Sequence, residues 1–546
     1  MPEVPMRAMS EIVGELGLDR EAIEPYGRDR VKVPLGAIPR GRAPGKLVVV
    51  TAITPTPAGE GKTTTSIGLT DGLARIGRRA VLAIREPSLG PLFGRKGGGT
   101  GGGRATVEPA ADINLHFTGD FHAIQSAHNF LAAMADNAAR SGAVEGFAPG
   151  GISWRRVTDA QDRALRRIET GLGGDGSGPR RETGFDISAA SEVMAVVALA
   201  SGYDDLRRRL SDVVVGWTGD GRPVRAGELG CVGAMMVLLK DALKPNLVQT
   251  AEGQPAIVHA GPFGNIAHGC SSVIADRLAL ATGEFAVTEA GFGADLGFEK
   301  FMDIKVRQGG PEPSAAVVVA KLSGLRWHGG AQPDRLDEPD PGAVEAGSAN
   351  LRNAVGIVRR YGLPAVVALN RHPADTPAEI EIARRAALEA GALAAVEAKG
   401  FGEGGAGMTE LAEAVVSAAE QPSTVRLLYE DSAPVTEKVE TLAREIYGAD
   451  GVEWGAGTRE AACRFDERGW DFPICVAKTH LSLSAFPERR GVPRGHTFPV
   501  VELRVAAGAR QVIALAGPII TLPGLPAQPN ALGVDLGPGG EVLGLV

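Results

Sequence analysis

Six short runs, apolar throughout save for Thr51, punctuate the first two-thirds of this chain, at residues 47–53, 80–84, 256–258, 285–287, 315–320 and 365–369. Longer stretches of helical character separate them. A strand with one solvated face alternates apolar and polar residues, so runs this uniform belong to strands buried on both sides. The expected fold is therefore α/β: a P-loop NTPase-like, mostly parallel sheet with helices on both faces, plus two smaller α/β domains. Polar residues follow each run: Thr54, Arg85 and Glu86, His259, Thr288 and Glu289, Lys321, and Asn370 and Arg371. Ligands of open parallel sheets bind outside the carboxyl ends of the strands, so these residues should converge on one edge.

The first run carries the strongest local signal. Thr56, Pro57, Ala58, Gly59, Glu60, Gly61, Lys62 and Thr63 follow it and open a helix that should reach about Ile76, with Gly77 as its stop. This is the spacing of a phosphate-binding loop. Backbone N–H groups and a helix N-terminus cradle phosphate oxygens, the lysine reaches the terminal phosphates, and the hydroxyl ligates Mg²⁺. Lys62 is expected to act on the nucleotide and Thr63 to be the metal-side ligand. Thr56 departs from the generic pattern, which has glycine there.

Arg85 follows the second run. If that strand lies beside the first, its guanidinium reaches the γ-phosphate, where it would hold an anion or the charge that develops in phosphoryl transfer. Residues 96–103, Lys-Gly-Gly-Gly-Thr-Gly-Gly-Gly, read either as a linker or as a backbone concavity that closes on an anion, with Gly98 and Gly99 at its centre. His116, His122 and His128 recur every six residues, a spacing that shares no helical face and matches no usual metal pattern. His259 and His268 flank a loop and read as structural. The four cysteines stand far apart with no CxxC pair, so they read as reduced and buried.

Charge narrows the partners. The chain has 546 residues, with 57 Lys and Arg against 65 Asp and Glu, a net charge of −8. That balance argues against a surface for nucleic acid or anionic lipid. Neither an apolar run of membrane-span length nor a signal or lipidation pattern is present, which leads to the expectation of a soluble cytoplasmic protein without a membrane partner. Glycine-, proline- and aspartate-rich breaks occur at residues 171–184 and 331–342.

Longer blocks then carry a resemblance. TPAGEGKT (56–63), REPSLG (85–90), DINLHFTGD (112–120), WRRV (154–157), LKPNLVQT (243–250), GPFGNIAHGC (261–270), residues 299–305, EIYGADGV (445–452) and TLPGLP (521–526) together resemble the formate–tetrahydrofolate ligase family, in order and over nearly the whole length. The resemblance implies that formate attacks the γ-phosphate of MgATP to give formyl phosphate, and that N10 of tetrahydrofolate then takes the formyl group. It implies that Lys62 and Thr63 serve the nucleotide and Mg²⁺, and that Arg85 holds formate and then formyl phosphate. It also implies a homotetramer of three-domain subunits, with a monovalent cation as a helper. The division is expected at 1–345 for the P-loop nucleotide and formate domain, with an inserted segment at about 104–185. Residues 346–455 would form a second α/β domain contributing the folate site, and 456–546 a C-terminal domain of short strands.

The departures fall at the folate end. Two aromatics sandwich the pterin in that family; here His372 and Glu397 hold their positions, with Phe401 nearby. A histidine can stack, and Phe401 can substitute, but a carboxylate has no π face. Two alternatives stay open on the residues alone: a carboxylate-activating ligase with a non-folate acceptor, and a P-loop ATPase used as a switch.

Overall fold

The computed structural model describes residues 6–41, 43–57, 59–94 and 97–545. At its centre is one large mixed sheet of twelve strands. Its main strands are β1 (Lys46–Ala52), β2 (Ala80–Ile84), β3 (Asn246–Thr250), β4 (Pro255–Val258), β5 (Phe285–Glu289), β6 (Ala315–Lys321), β7 (Ala365–Asn370) and β8 (Ala394–Ala398). They lie in the order β3-β4-β2-β5-β1-β6-β7-β8, and every pairing from β4 to β8 is parallel, while β3 runs antiparallel to β4. Short strands, among them Val31–Lys32 and Ala105–Glu108, extend the β3 edge.

All six apolar runs are strands of this sheet. Consecutive side chains leave a strand on opposite faces, and here both faces are covered. On one face Val48, Val50, Leu82, Val287 and Val317 pack with Ile67, Leu69 and Leu73 of helix α1 (Lys62–Arg75). On the other Leu47, Val49, Val81 and Val318 join Leu278, Leu351 and Val355 and the C-terminal residues Leu442, Phe498 and Val512. A third core forms around α2 (Asp120–Ser141) and α3 (Glu192–Leu199), from the long segment between β2 and β3. β7 and β8 extend the same sheet as β1 rather than forming one of their own.

The two breaks are ordered. Residues 171–184 lie largely between and within a hairpin of Ile168–Thr170 with Arg181–Thr183. Asp340 ends the second break by accepting the Ala343 amide at 2.9 Å, which caps the helix Pro341–Arg360. After residue 432 come a helix, Val435–Glu445, and short strands from Gly451–Trp454 onward. Among the described residues no helix is long and apolar enough to cross a membrane.

Helix α1 is tied to β3 by a buried carboxyl. Asp71 is 1% exposed, and its Oδ1 accepts the Thr250 hydroxyl at 2.6 Å. Burial above all pushes this carboxyl up to about 8. The folded chain thus binds this proton up to about pH 8, whereas the unfolded chain releases it near the ordinary aspartate value of about 3.9. Between those values the folded state holds more protons, so Asp71 makes stability fall as pH rises through the window. Asp71→Asn keeps the acceptor and removes the titration. Thermal unfolding across that window should show a smaller loss of midpoint with rising pH in the variant than in the parent.

Candidate functional site

The phosphate loop leaves the carboxyl end of β1 at the point where the chain order of the sheet reverses, with β5 on one side and β6 on the other. Gly61 caps α1 with φ of +76°, a conformation that costs a side-chain-bearing residue energy. A Cβ there would also stand 2.3 Å from Asn370 Nδ2, whose amide donates to the Glu60 carbonyl at 3.1 Å. Inside the loop Glu60 folds back, and its Oε1 accepts the Thr56 amide at 3.0 Å. Its other carboxylate oxygen is buried without a hydrogen-bond partner, and burial raises its pKa. Helix α1 ends as its sequence indicates, with Gly77 at φ +80° donating to the Ala74 carbonyl. Ala58 lies outside the described residues.

Lys62 begins α1. Desolvation pulls its ammonium below the usual lysine range, opposed first by Glu289 and then by Glu60. Polyanionic phosphate at the loop would add to that opposition and favour the charged form.

The second strand does not lie beside the first. β5 sits between β1 and β2, in register Glu289↔Val50 and Thr288↔Ala83. The consequence is a residue that sequence reasoning noted at a strand end but did not single out. Glu289 closes β5, and its Oε2 accepts the Thr63 hydroxyl at 2.9 Å while its Oε1 stands 3.9 Å from Arg85 Nη2. A hydroxyl and a carboxylate side by side at the start of a phosphate-loop helix are the oxygen donors a hard divalent cation takes. The signal available in the sequence was an acid at the end of an apolar run, which becomes meaningful only once the strand order is known.

Arg85 is three-quarters buried. Its Nη1 donates to the Pro262 carbonyl at 3.2 Å, and its Nε is buried with no partner. The following loop is pinned from the inserted segment: Asp159 accepts the Ser88 hydroxyl at 2.6 Å and the Leu89 amide at 2.9 Å, and burial pushes its carboxyl up to about 6.

Of the two readings of the glycine cluster, the structure supports the concavity. Gly97, Gly98 and Gly99 line a cleft of about 190 Å³ together with Thr63, Arg85 and Glu289. Asn114, fully buried, accepts the Gly99 amide at 2.8 Å and donates to Thr100 Oγ1 at 2.9 Å. Close packing explains the composition, since a Cβ on Gly98 would meet Asn114 at 2.6 Å and one on Gly99 would meet Pro87 at 2.7 Å. Lys96 lies outside the described residues.

The folate-side candidates follow or lie on β7 and β8, and Phe401 reaches back to the glycine segment. His372 follows β7, and its amide donates to Asp375 at 2.7 Å. Glu397 in β8 is engaged by the Arg371 guanidinium. Phe401 is 62% exposed, rests near Gly102, and accepts the Arg104 amide on its carbonyl at 2.9 Å. His116 and His122 are exposed, whereas His128 and His259 are buried and held in place. His128 stacks on Trp154 at 4.3 Å and is pushed down to about 4 by burial. His259 is held by Ser272 at 2.6 Å and by the Ala242 carbonyl at 2.8 Å. Among the described residues no group of three His, Cys, Asp or Glu is placed to hold a metal.

Comparison with known proteins accounts for the whole chain. The profile of the family described as formate–tetrahydrofolate ligase matches residues 2–546. The chain is 50% identical over 551 residues to the formate–tetrahydrofolate ligase of Roseiflexus sp. (strain RS-1), covering 99% of this chain and 98% of that protein. It is 52% identical over 542 residues to that of Cereibacter sphaeroides (strain ATCC 17029 / ATH 2.4.9), with 99% and 97% covered. It is 51% identical over 547 residues to that of Myxococcus xanthus (strain DK1622), with 99% of each covered.

The pairing of Thr63 with Glu289 generates a test. Glu289→Gln preserves shape but removes the charge that a divalent cation needs. Calorimetry should show ATP binding in the presence of Mg²⁺ weakened by about tenfold, with binding of metal-free ATP not weakened.

Proposed function

This chain belongs to the formate–tetrahydrofolate ligase family, and on that premise we propose how its residues divide the work. The enzyme ligates formate to tetrahydrofolate with ATP, forming 10-formyltetrahydrofolate, ADP and phosphate. A formate oxygen attacks the γ-phosphorus, the bond to the β–γ bridging oxygen breaks, and ADP leaves. N10 of tetrahydrofolate attacks the formyl carbon, phosphate departs, and N10 loses its proton. Formyl phosphate is already a strong acylating agent, so no general base is assigned.

The observation that carries this reading is the cleft between the phosphate loop, Arg85 and the glycine concavity. At about 190 Å³ it admits a small carboxylate beside a phosphoryl group. Within residues 56–63 the backbone amides at the start of α1, from Glu60 to Thr63, cradle the phosphates, and Lys62 neutralises the transferring group. Arg85 holds formate in line and then the phosphoryl oxygens of formyl phosphate, so the catalysis is positioning and charge neutralisation. Thr63 and Glu289 are the residues that would hold Mg²⁺, which would supply charge neutralisation to the phosphates. Gly98 and Gly99 bring backbone close to the anion and exclude water from it.

Tetrahydrofolate is assigned to the edge formed by His372 and Phe401. Phe401 supplies the exposed aromatic face, while Glu397 is engaged with Arg371. The P-loop NTPase-like character of the sheet and the division at 1–345, 346–455 and 456–546 belong to the same proposal, the second unit being continuous in sheet with the first. So do a cytoplasmic location, a homotetrameric assembly and a supporting monovalent cation. Family membership favours neither a switch ATPase nor a non-folate acceptor.

The test is incubation with MgATP, formate and tetrahydrofolate, acidification, and absorbance of the methenyl product, with each component omitted in turn. Signal only when all three are present is the expected result. Arg85→Ala should lower kcat by about 10²–10³-fold, the scale of losing one charge-stabilising group. Phe401→Ala should raise the KM for tetrahydrofolate by about tenfold without changing that for ATP, the size of a lost stacking face. Unchanged folate kinetics in that variant would move the pterin site elsewhere.

A further inference from the structure

Two residues before the phosphate loop, Thr54 is 2% exposed, and its three polar groups are bonded to side chains from three different elements. Its amide donates to Asn350 Oδ1 at 3.0 Å. Its hydroxyl donates to Asp295 Oδ1 at 3.3 Å and accepts from Asn350 Nδ2 at 3.0 Å. Its carbonyl accepts from His328 Nε2 at 2.7 Å. A backbone position held on all sides this way has one arrangement available to it, because releasing any bond leaves a buried polar group unpaired.

All three partners are in turn held by one stretch of the C-terminal region. Lys478 Nζ donates to Asp295 Oδ2 at 2.8 Å, in an ion pair buried from solvent, and also to the Ser482 carbonyl. The Gly491 carbonyl accepts from Asn350 Nδ2 at 3.0 Å, and the Gly491 amide donates to His328 Nδ1 at 3.2 Å. That last bond determines the histidine's tautomer. With Nδ1 accepting, the ring proton sits on Nε2 and is donated to the Thr54 carbonyl.

A parallel contact reaches the same loop through the segment after Glu289. His480 stacks on Phe292 at 4.8 Å, and Phe292 holds φ of +60°, a strained value for a side-chain-bearing residue. The next residue is pressed against the loop: a Cβ on Gly293 would stand 2.7 Å from the Ile53 carbonyl and 3.1 Å from Pro55. Burying a lysine–aspartate pair here costs desolvation that apolar packing would avoid, so its presence calls for a positional role.

We infer that residues 478–491 position the phosphate loop, with Lys478 a positioning residue for the ATP-dependent step that acts through Asp295 on Thr54. This rests on the reading of residues 56–63 as the ATP site. The C-terminal region is then part of the nucleotide site without touching the nucleotide. Its loss is felt at the phosphates rather than at the folate or formate positions.

A double-mutant cycle tests the link in the full-length enzyme. Thr54→Val and Lys478→Met should each raise the KM for ATP by about tenfold, with those for formate and tetrahydrofolate within about twofold of the parent. The double variant should be no worse than the poorer single one, because both break the same chain of bonds. Lys438→Met serves as the stability control. Its ammonium is also buried but donates to the carbonyls of Asp431 and Asp471, so it should lower the thermal midpoint while leaving the KM for ATP in place. Multiplying effects in the double variant, or an equal rise in all three KM values, overturns the inference. If Lys478→Met does not fold, Asp295→Asn takes its place in the cycle with the same two outcomes. Lys62→Ala separates the premise from the inference. If it abolishes ATP binding while the cycle multiplies, only the positioning link fails; if ATP binding survives it, the loop is not the ATP site and both readings fall.

Discussion

The placement of β5 between β1 and β2 is the constraint from which the rest of the site follows. A parallel strand needs a crossover to reach its neighbour, so the chain goes from β1 to β2, through the long inserted segment to β3 and β4, and only then fills the gap. That late strand delivers Glu289 to Thr63 on one side and to Arg85 on the other. Without it, Arg85 would stand beside the phosphate loop with no carboxylate between them. With it, Lys62, Glu289 and Arg85 gather at one edge of the sheet, where burial pulls the Lys62 ammonium below the usual lysine range and Glu289 opposes that shift.

Because both faces of the sheet are occupied by apolar packing, polar chemistry is confined to the strand ends, and the loops there have to be held by something other than a hydrophobic core. The structure does this with buried polar side chains. Asn114 holds the glycine concavity, Asp159 the loop after Arg85, and Asp295, Asn350 and His328 the approach to the phosphate loop. Each such group is expensive to bury and more expensive to leave unpaired, which converts a set of flexible loops into one with few alternatives. Two buried polar atoms of cleft-lining residues nevertheless have no hydrogen-bond partner, Arg85 Nε and Glu86 Oε2.

The two ends of the sheet edge differ in how they were readable. The phosphate loop is local: a strand, eight residues and a helix, each legible from composition and spacing, and Gly61 and Gly77 take the backbone conformations their positions require. Strand β8, Ala394–Ala398, carries three alanines and a glutamate around a single valine, so it escaped the pattern that revealed the other parallel strands. β3, Asn246–Thr250, escaped for a related reason, since its Asn246 and Gln249 are polar and yet fully buried in hydrogen bonds that no local pattern announces. The glycine cluster was ambiguous because its conformation depends on Asn114, fifteen residues past Gly99, and on Pro87 from another loop.

By itself the sequence determined the local elements of this protein: strands that are almost wholly apolar, a glycine-bearing turn that leads from a strand into a helix, and ordered blocks that mark the family. These are short-range properties, set by side-chain size, backbone freedom and periodicity within a few residues. Tertiary structure alone decided the strand order, and with it the meeting of Glu289 with Thr63 and Arg85 across more than two hundred residues of chain. It also decided that Lys478 would brace Thr54 through Asp295. Such pairings are invisible locally because each partner's neighbours along the chain are compatible with many folds. Only the packing of two covered sheet faces selects the one arrangement in which their charges meet.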